Sequence, residues 1–192
     1  MQALPAAAPP APRRQLTVGA ALAAMALLVL TGGMLAVWAV QRNRAIDLDG
    51  TWVPDGITIP EVPTNVILIT FLPLCVFAQW AVWSARRGDH PHTGLALGAT
   101  ALMALLVINA QAYVYQEMGL GIADGPYGAM FYAVTGMFIV LMIVGIAFTA
   151  VTMFRYLGGR TGEHELVVAH AIYWYATAAA YAAIWFVVYV TK

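Results

Sequence analysis

Catalysis and cofactor binding need ligands, nucleophiles or titratable groups at workable spacings, and this sequence has few of them. It contains four histidines, His90, His92, His164 and His170, and one cysteine, Cys75. His164 and His170 stand six apart, which is not the i, i+4 spacing that aligns two metal ligands on one helix face. His90 and His92 flank a proline in a basic loop and read as solvated. A haem held between helices would need axial ligands, commonly histidine, at membrane depth. Only His170 adjoins an apolar run, close to its end. A lone cysteine excludes an internal disulfide framework and a Cys-based zinc site. Its apolar surroundings make Cys75 a buried small hydrophobe. No Ser/His/Asp, zinc or phosphate-loop pattern appears. The expectation is a chain with no catalytic residue, cofactor ligand or metal ligand of its own.

The remaining polar groups gather in one stretch, Asn109 to Gly136, between two long apolar segments. Asp124-Gly125-Pro126 is a helix-start signal: a carboxylate to cap the first free N–H groups, then proline at an early helical position. Glu117 and Asp124 therefore sit at helix ends as hydrated or capping groups. Ionisable residues inside a bilayer mark proton or ion paths. The apolar segments hold essentially none, which argues against a self-contained pump or ion-coupled carrier.

The elements that position these groups are membrane spans. Hydrophobic residues make up 62% of the chain and charged residues 9%, where a soluble domain carries about a quarter charged. The net charge of zero implies no nucleic-acid partner. Residues 1–16 read as an Ala/Pro-rich disordered tail, and residues 17–192 as a single all-α domain of five transmembrane helices. The predicted helices run from about Thr17 to Val40, Pro63 to Ser84, Thr93 to Gln116, Pro126 to Phe154 and Val167 to Val190. The first is too long for a signal-peptide core and is read as retained. Pro73 should kink the second. Gly32-Gly33, Gly94 with Gly98, Ala176 with Ala180 and Ala179 with Ala183 mark faces where helices can approach closely. The aromatics of the fifth segment, Tyr173 to Tyr189, extend beyond an interface belt, so the middle ones face protein or a headgroup-lined cleft. Lys and Arg favour a cytoplasmic N-terminus and an outside C-terminus, with Arg13, Arg14, Arg86, Arg87, Arg155 and Arg160 against Arg42, Arg44 and Lys192.

Three stretches together resemble subunit III of the haem–copper terminal oxidases, in its short five-helix bacterial form. The first runs from Trp52 through Pro54, Gly56, Pro60 and Pro63 to Asn65, like the family's Trp/Pro/Gly loop leading to an Asn at a helix start. The second is Gln111-Ala112-Tyr113-Val114-Tyr115-Gln116-Glu117, followed by Asp124, Gly125, Tyr127, Gly128, Phe131, Thr135 and Gly136. It is similar to the family's Gln-Ala-x-Glu-Tyr and Asp-Gly-x-Tyr-Gly-x-x-Phe-x-x-x-x-Gly run. The third is Ile172-Tyr173-Trp174, where the family has an aromatic-Tyr-Trp-His motif. The chain departs from the pattern at polar positions. Leu27 and Val114 stand where the family has glutamates, Phe138 and Leu141 where it has histidines, and Tyr175 and Ala178 where it has His and Asp.

The resemblance implies a divergent, non-catalytic subunit in a bacterial plasma membrane. It would pack beside subunit I, and with subunit II, of an aerobic oxidase, holding phospholipid in a cleft and supporting proton uptake. Haem and copper would lie in those partner subunits. Trp52, Asn65, Gln111, Tyr115, Glu117, Asp124, Gly125, Tyr127, Gly128, Thr135, Gly136, Tyr173 and Trp174 are the candidate structural, lipid or subunit contacts. An accessory role in a quinol oxidase or nitric oxide reductase is the alternative within the family. A small free-standing carrier or assembly factor is the alternative outside it.

Overall fold

The computed structural model describes residues 14–160 and 164–191. The predicted tail lies outside them except at its end, where helix has already begun. Five helices follow in order: α1 (Gln15–Asp49), α2 (Glu61–Arg86), α3 (His90–Met118), α4 (Gly125–Leu157) and α5 (His164–Ile184), the last continuing as a π-helical turn, Trp185–Val190. Each is long and apolar enough to cross a bilayer. A bilayer core offers backbone groups no hydrogen-bond partners, so a chain this apolar must satisfy them within helices. The protein is an all-α, multi-pass membrane protein.

Several helix ends differ from the hydropathy reading. Helix α1 runs on to Asp49, so Arg42, Arg44 and Asp47, beyond the predicted end at about Val40, lie on it. Hydropathy reports where the bilayer ends, whereas a helix of good formers can project into water. Gly50 stops α1 in the left-handed region at φ 75°, its N–H bonding to Ile46 C=O. His90 and His92 also belong to a helix, the first turn of α3. Asp89 creates that start by accepting from His92 N–H at 3.2 Å and approaching His92 Nδ1 at 2.8 Å. Helix α2 continues unbroken through Pro73. Cys75 is half-buried rather than buried, because it sits on the outer flank of α2.

Helices α2, α3, α4 and α5 form a closed ring, each packing on the next and α5 returning to α2. Helix α1 lies outside that ring, against α5 and only lightly against α4. Leu27 of α1 fits over Ala176 and Ala180 with Leu141 of α4 alongside, so that alanine pair is a packing face. Ala179 and Ala183 are exposed. Gly32 and Gly33 face outward, and no side chain or backbone would meet a Cβ at either, or at Gly98. Gly94 does sit at a close approach, a Cβ there lying 3.0 Å from Leu157 of α4. A tighter one falls at Gly145, where a Cβ would lie 2.7 Å from Trp174 and 2.8 Å from Tyr173.

Candidate structural site at the turn end of the bundle

The loop from Gly50 to Pro60, the turn from Gly119 to Asp124 and Thr191 share one end of the bundle. The turn is built from glycines and one carboxylate. Gly119 adopts φ 57° and Gly125 φ 81°, conformations that favour residues without a Cβ. Asp124 stands at the start of α4 but does not cap it. Its Oδ2 reaches back to accept from Gly121 N–H at 2.6 Å. A capping side chain bonds the N–H of the second or third helical residue. Pro126 at the second position has none, and the turn offers Gly121 instead. Gly128 permits the crossing, since a Cβ there would lie 2.5 Å from Gly121 C=O. Tyr132 closes the turn by donating to Leu120 C=O at 2.6 Å.

Beneath the turn, helices are joined by buried neutral hydrogen bonds. Gln111, fully buried on α3, donates through Nε2 to Tyr189 Oη at 3.2 Å. Tyr115 Oη donates to Thr135 Oγ1 at 2.9 Å, and Thr135 Oγ1 lies 2.6 Å from Phe131 C=O. A polar group taken out of water needs such partners. Above them, Trp38, Trp52 and Tyr127 pack edge to face, with centroids 5.3, 5.4 and 5.6 Å apart. Tyr127 then stacks on Phe131 at 6.2 Å and 13°. This cluster ties α1, the Gly50–Pro60 loop and α4 together. On the outer seam, Trp185 Nε1 donates to Asn65 Oδ1 at 2.9 Å.

Tyr173 and Trp174 lie toward the opposite end. Tyr173 Oη donates to Leu141 C=O at 2.6 Å. Trp174 Nε1 lies 3.0 Å from both Thr149 Oγ1 and His170 Nε2, and those two atoms lie 2.9 Å apart. His170 Nε2 thus serves an indole and a hydroxyl, while its Nδ1 is buried without a hydrogen-bond partner among the described residues. Among the described residues, no group of three or more His, Cys, Asp or Glu side chains gathers to hold a metal.

The structure thus brings Trp52, Gln111, Tyr115, Asp124, Gly125, Tyr127, Gly128 and Thr135 to one end, with Asn65 at its edge. Glu117 is exposed, and nothing lies within 4 Å of a Cβ placed at Gly136; neither joins the cluster. Sequence reasoning did not single out Trp38, Thr149 or the bonding role of His170. Trp38 carries a weak signal, an aromatic near the end of a span. Tyr181, among the middle aromatics of α5, faces protein: it packs on Phe71 at 5.4 Å and Phe138 at 4.7 Å.

The fold and this site define a polytopic helical-bundle protein whose buried polar groups join helix to helix. The sequence profile described as "Cytochrome c oxidase subunit III" matches residues 11–192. The chain belongs to the cytochrome c oxidase subunit III family. It is 32% identical over 149 residues to cytochrome c oxidase subunit 3 of Rattus norvegicus, covering 72% of this chain and 56% of that protein. It is 35% identical over 134 residues to the Cyprinus carpio protein, covering 67% and 51%. For Drosophila yakuba the figures are 31% over 139 residues, with 69% and 52% covered. The chain spans about half the length of these curated relatives.

Proposed function

We propose that the chain is a non-catalytic membrane subunit of an aerobic respiratory terminal oxidase in a bacterial plasma membrane. It packs beside subunit I, with the N-terminus cytoplasmic and the turn end outside. The observation that carries this reading is the family match over residues 11–192, in a chain whose buried polar pairs bond its own helices. Haem, copper and electron transfer belong to the partner subunits. The chain's part is to brace them and to hold lipid at their flank.

Two apolar grooves beside α1, one against α5 and Phe148 of α4 and one against α4, support the lipid role. One, of about 320 Å³, lies by Gly19, Ala23, Phe148 and Tyr173. The other, of about 350 Å³, lies by Leu30, Gly33, Met130 and Ala133. Between them, Leu27 and Leu141 share one apolar cluster. The resemblance places a glutamate and a histidine at these two positions, so a polar pair has been replaced on both helices together. Proton-uptake support through those side chains is therefore not part of the proposal.

Affinity purification of the tagged chain in mild detergent tests the reading, with a reduced-minus-oxidised spectrum and mass spectrometry. A haem a or haem o signal with a large multi-span partner is the expected result. A colourless, stable preparation of this chain alone would overturn it in favour of a carrier or assembly factor.

A further inference from the structure

The outward surface of the bundle is divided by polarity. Among the described residues, the exposed side chains of α1 from Val18 to Val40 and of α4 from Ala129 to Phe154 are all apolar. Exposed Asn65, Gln79, Asn109, Tyr113 and Tyr175 lie within the spans on α2, α3 and α5, with Gln116 and Glu117 following at the end of α3. Tyr113 is near a helix end, where tyrosine is at home. The three amides lie deeper. From the helix midpoints and a rise of about 1.5 Å per residue, Asn109 and Gln79 are each about 8 Å and Asn65 about 13 Å from mid-membrane. All three fall inside a hydrocarbon half-thickness of about 15 Å.

These amides have unused hydrogen-bonding capacity. Asn65 accepts from Trp185 Nε1. An indole N–H can only donate, so the Asn65 carbonyl faces α5 and its NH2 faces out. Gln79 accepts from Tyr175 Oη at 2.6 Å in the same manner. Neither NH2 group, and neither end of the Asn109 amide, has a partner among the described residues. Lipid tails cannot supply one, whereas another helix can. Between the two α2 amides, the exposed face of α5 is small, with Ala179, Ala182 and Ala183, and leaves room for close approach.

We propose that the α5–α2–α3 face packs against the transmembrane helices of the partner subunit, and that the α1–α4 face meets lipid. Those partner helices carry acceptors, such as hydroxyls, carboxylates or exposed carbonyls, at the depths of the three amides. The assignment rests on the oxidase-subunit reading for the identity of the partner.

Photo-crosslinking in native membranes tests it, with a benzophenone side chain at Leu106 or Val76 on one face and at Val144 or Ala147 on the other. Cross-links to a second polypeptide of the complex from Leu106 and Val76, and to lipid alone from Val144 and Ala147, are expected. The Asn109→Leu/Gln79→Leu double variant should lose about tenfold of the co-purified partner. Asn109→Leu alone should leave the melting of the isolated chain unchanged, since Asn109 bonds nothing within it. Partner cross-links confined to Val144 and Ala147 would overturn the assignment while leaving the oxidase reading intact. So would cross-links from Leu106 to a second copy of this chain or to lipid alone. A wild-type chain that captures no other subunit from either face would overturn both.

Discussion

In the ring of α2 to α5, side-chain hydrogen bonds join α5 to α4, α5 to α2 and α3 to α4, whereas α2 meets α3 by packing and α1 is held along its span by shape. Helix α5 bonds α4 through Trp174 and Tyr173, and α2 through Tyr175, Trp185 and Tyr181, whose Oη reaches Thr64 C=O at 3.3 Å. Helix α3 bonds the π-helical turn through Gln111 and α4 through Tyr115. Along the span of α1, the buried hydroxyl of Thr31 bonds its own helix at Leu27 C=O. At the ends of α1, Leu16 N–H bonds Glu165 of α5 at 3.3 Å, and Arg42 Nη2 donates to the C=O of Thr191, just past the π-helical turn, at 2.8 Å. Between them it relies on Leu27 over two alanines and on Trp38 in the aromatic cluster. In lipid, apolar contact between helices gains little over contact with acyl chains, so polar bonds and close packing decide association. The ring should therefore behave as the rigid body and α1 as the separable part.

The largest expected effect comes from filling the ring's closest approach. Gly145→Leu would push a side chain into Trp174 and Tyr173, and overpacking of this kind costs about 1–3 kcal/mol or more. Gly33→Leu adds the same volume on the open face of α1, where nothing is near, and should be close to neutral. Melting of both variants in detergent, followed by tryptophan fluorescence, checks the contrast. Equal destabilisation would mean that α1 is buttressed as tightly as the ring.

Next in size is Trp38→Ala, which removes the ring that Trp52 and Tyr127 pack against. Large aromatic truncations in water-soluble cores cost about 3–5 kcal/mol, and lipid filling the gap should reduce that to about 2 kcal/mol. The predicted signature is selective. A disulfide probe between α1 and α5 should lose efficiency, while one between α2 and α3 should not. Loss of both together would make α1 part of the same cooperative unit.

Breaking one ring bond is a smaller change. Tyr189→Phe leaves the Gln111 amide without its buried phenol, and intramembrane side-chain bonds of this kind average about 0.6 kcal/mol. A double-mutant cycle with Gln111→Leu should give a coupling of about that size. A coupling of zero would remove Gln111–Tyr189 from the forces that close the ring.

How far the sequence disclosed this division follows from what each signal reports. Hydropathy located all five spans because it measures the bilayer requirement, and for the same reason it missed the nine residues of α1 beyond Val40. The motif from Gln111 to Thr135 pointed to the turn end because its residues are polar or glycine in an apolar chain, which marks groups that need partners. Small-residue spacing failed to tell Gly145 from Gly32-Gly33. A period shows that two residues share a face, not what that face meets. Trp38 stayed hidden because its significance depends on Trp52 and Tyr127, brought to it by a loop and by a helix far along the chain.

The smallest effect sharpens the comparison by showing where charge still matters. The ring's interior bonds join amides, hydroxyls and indoles, but the start of α3 depends on Asp89. Hydrogen bonds from His92, first the side chain and then the backbone N–H, hold the Asp89 carboxyl below its ordinary range. A group depressed in this way favours the folded helix start fully above the unfolded carboxylate value of about 4. That contribution disappears as pH falls through the lower, folded value. Acidification should therefore fray the first turn of α3, seen as loss of protection at the amides of His92 and Thr93, while protection at Gln111 and Thr135 persists. Asp89→Asn keeps an acceptor for His92 N–H and should remove the acid dependence. Simultaneous acid loss of protection at Thr93 and Thr135 would show instead that the helix start and the ring open as one.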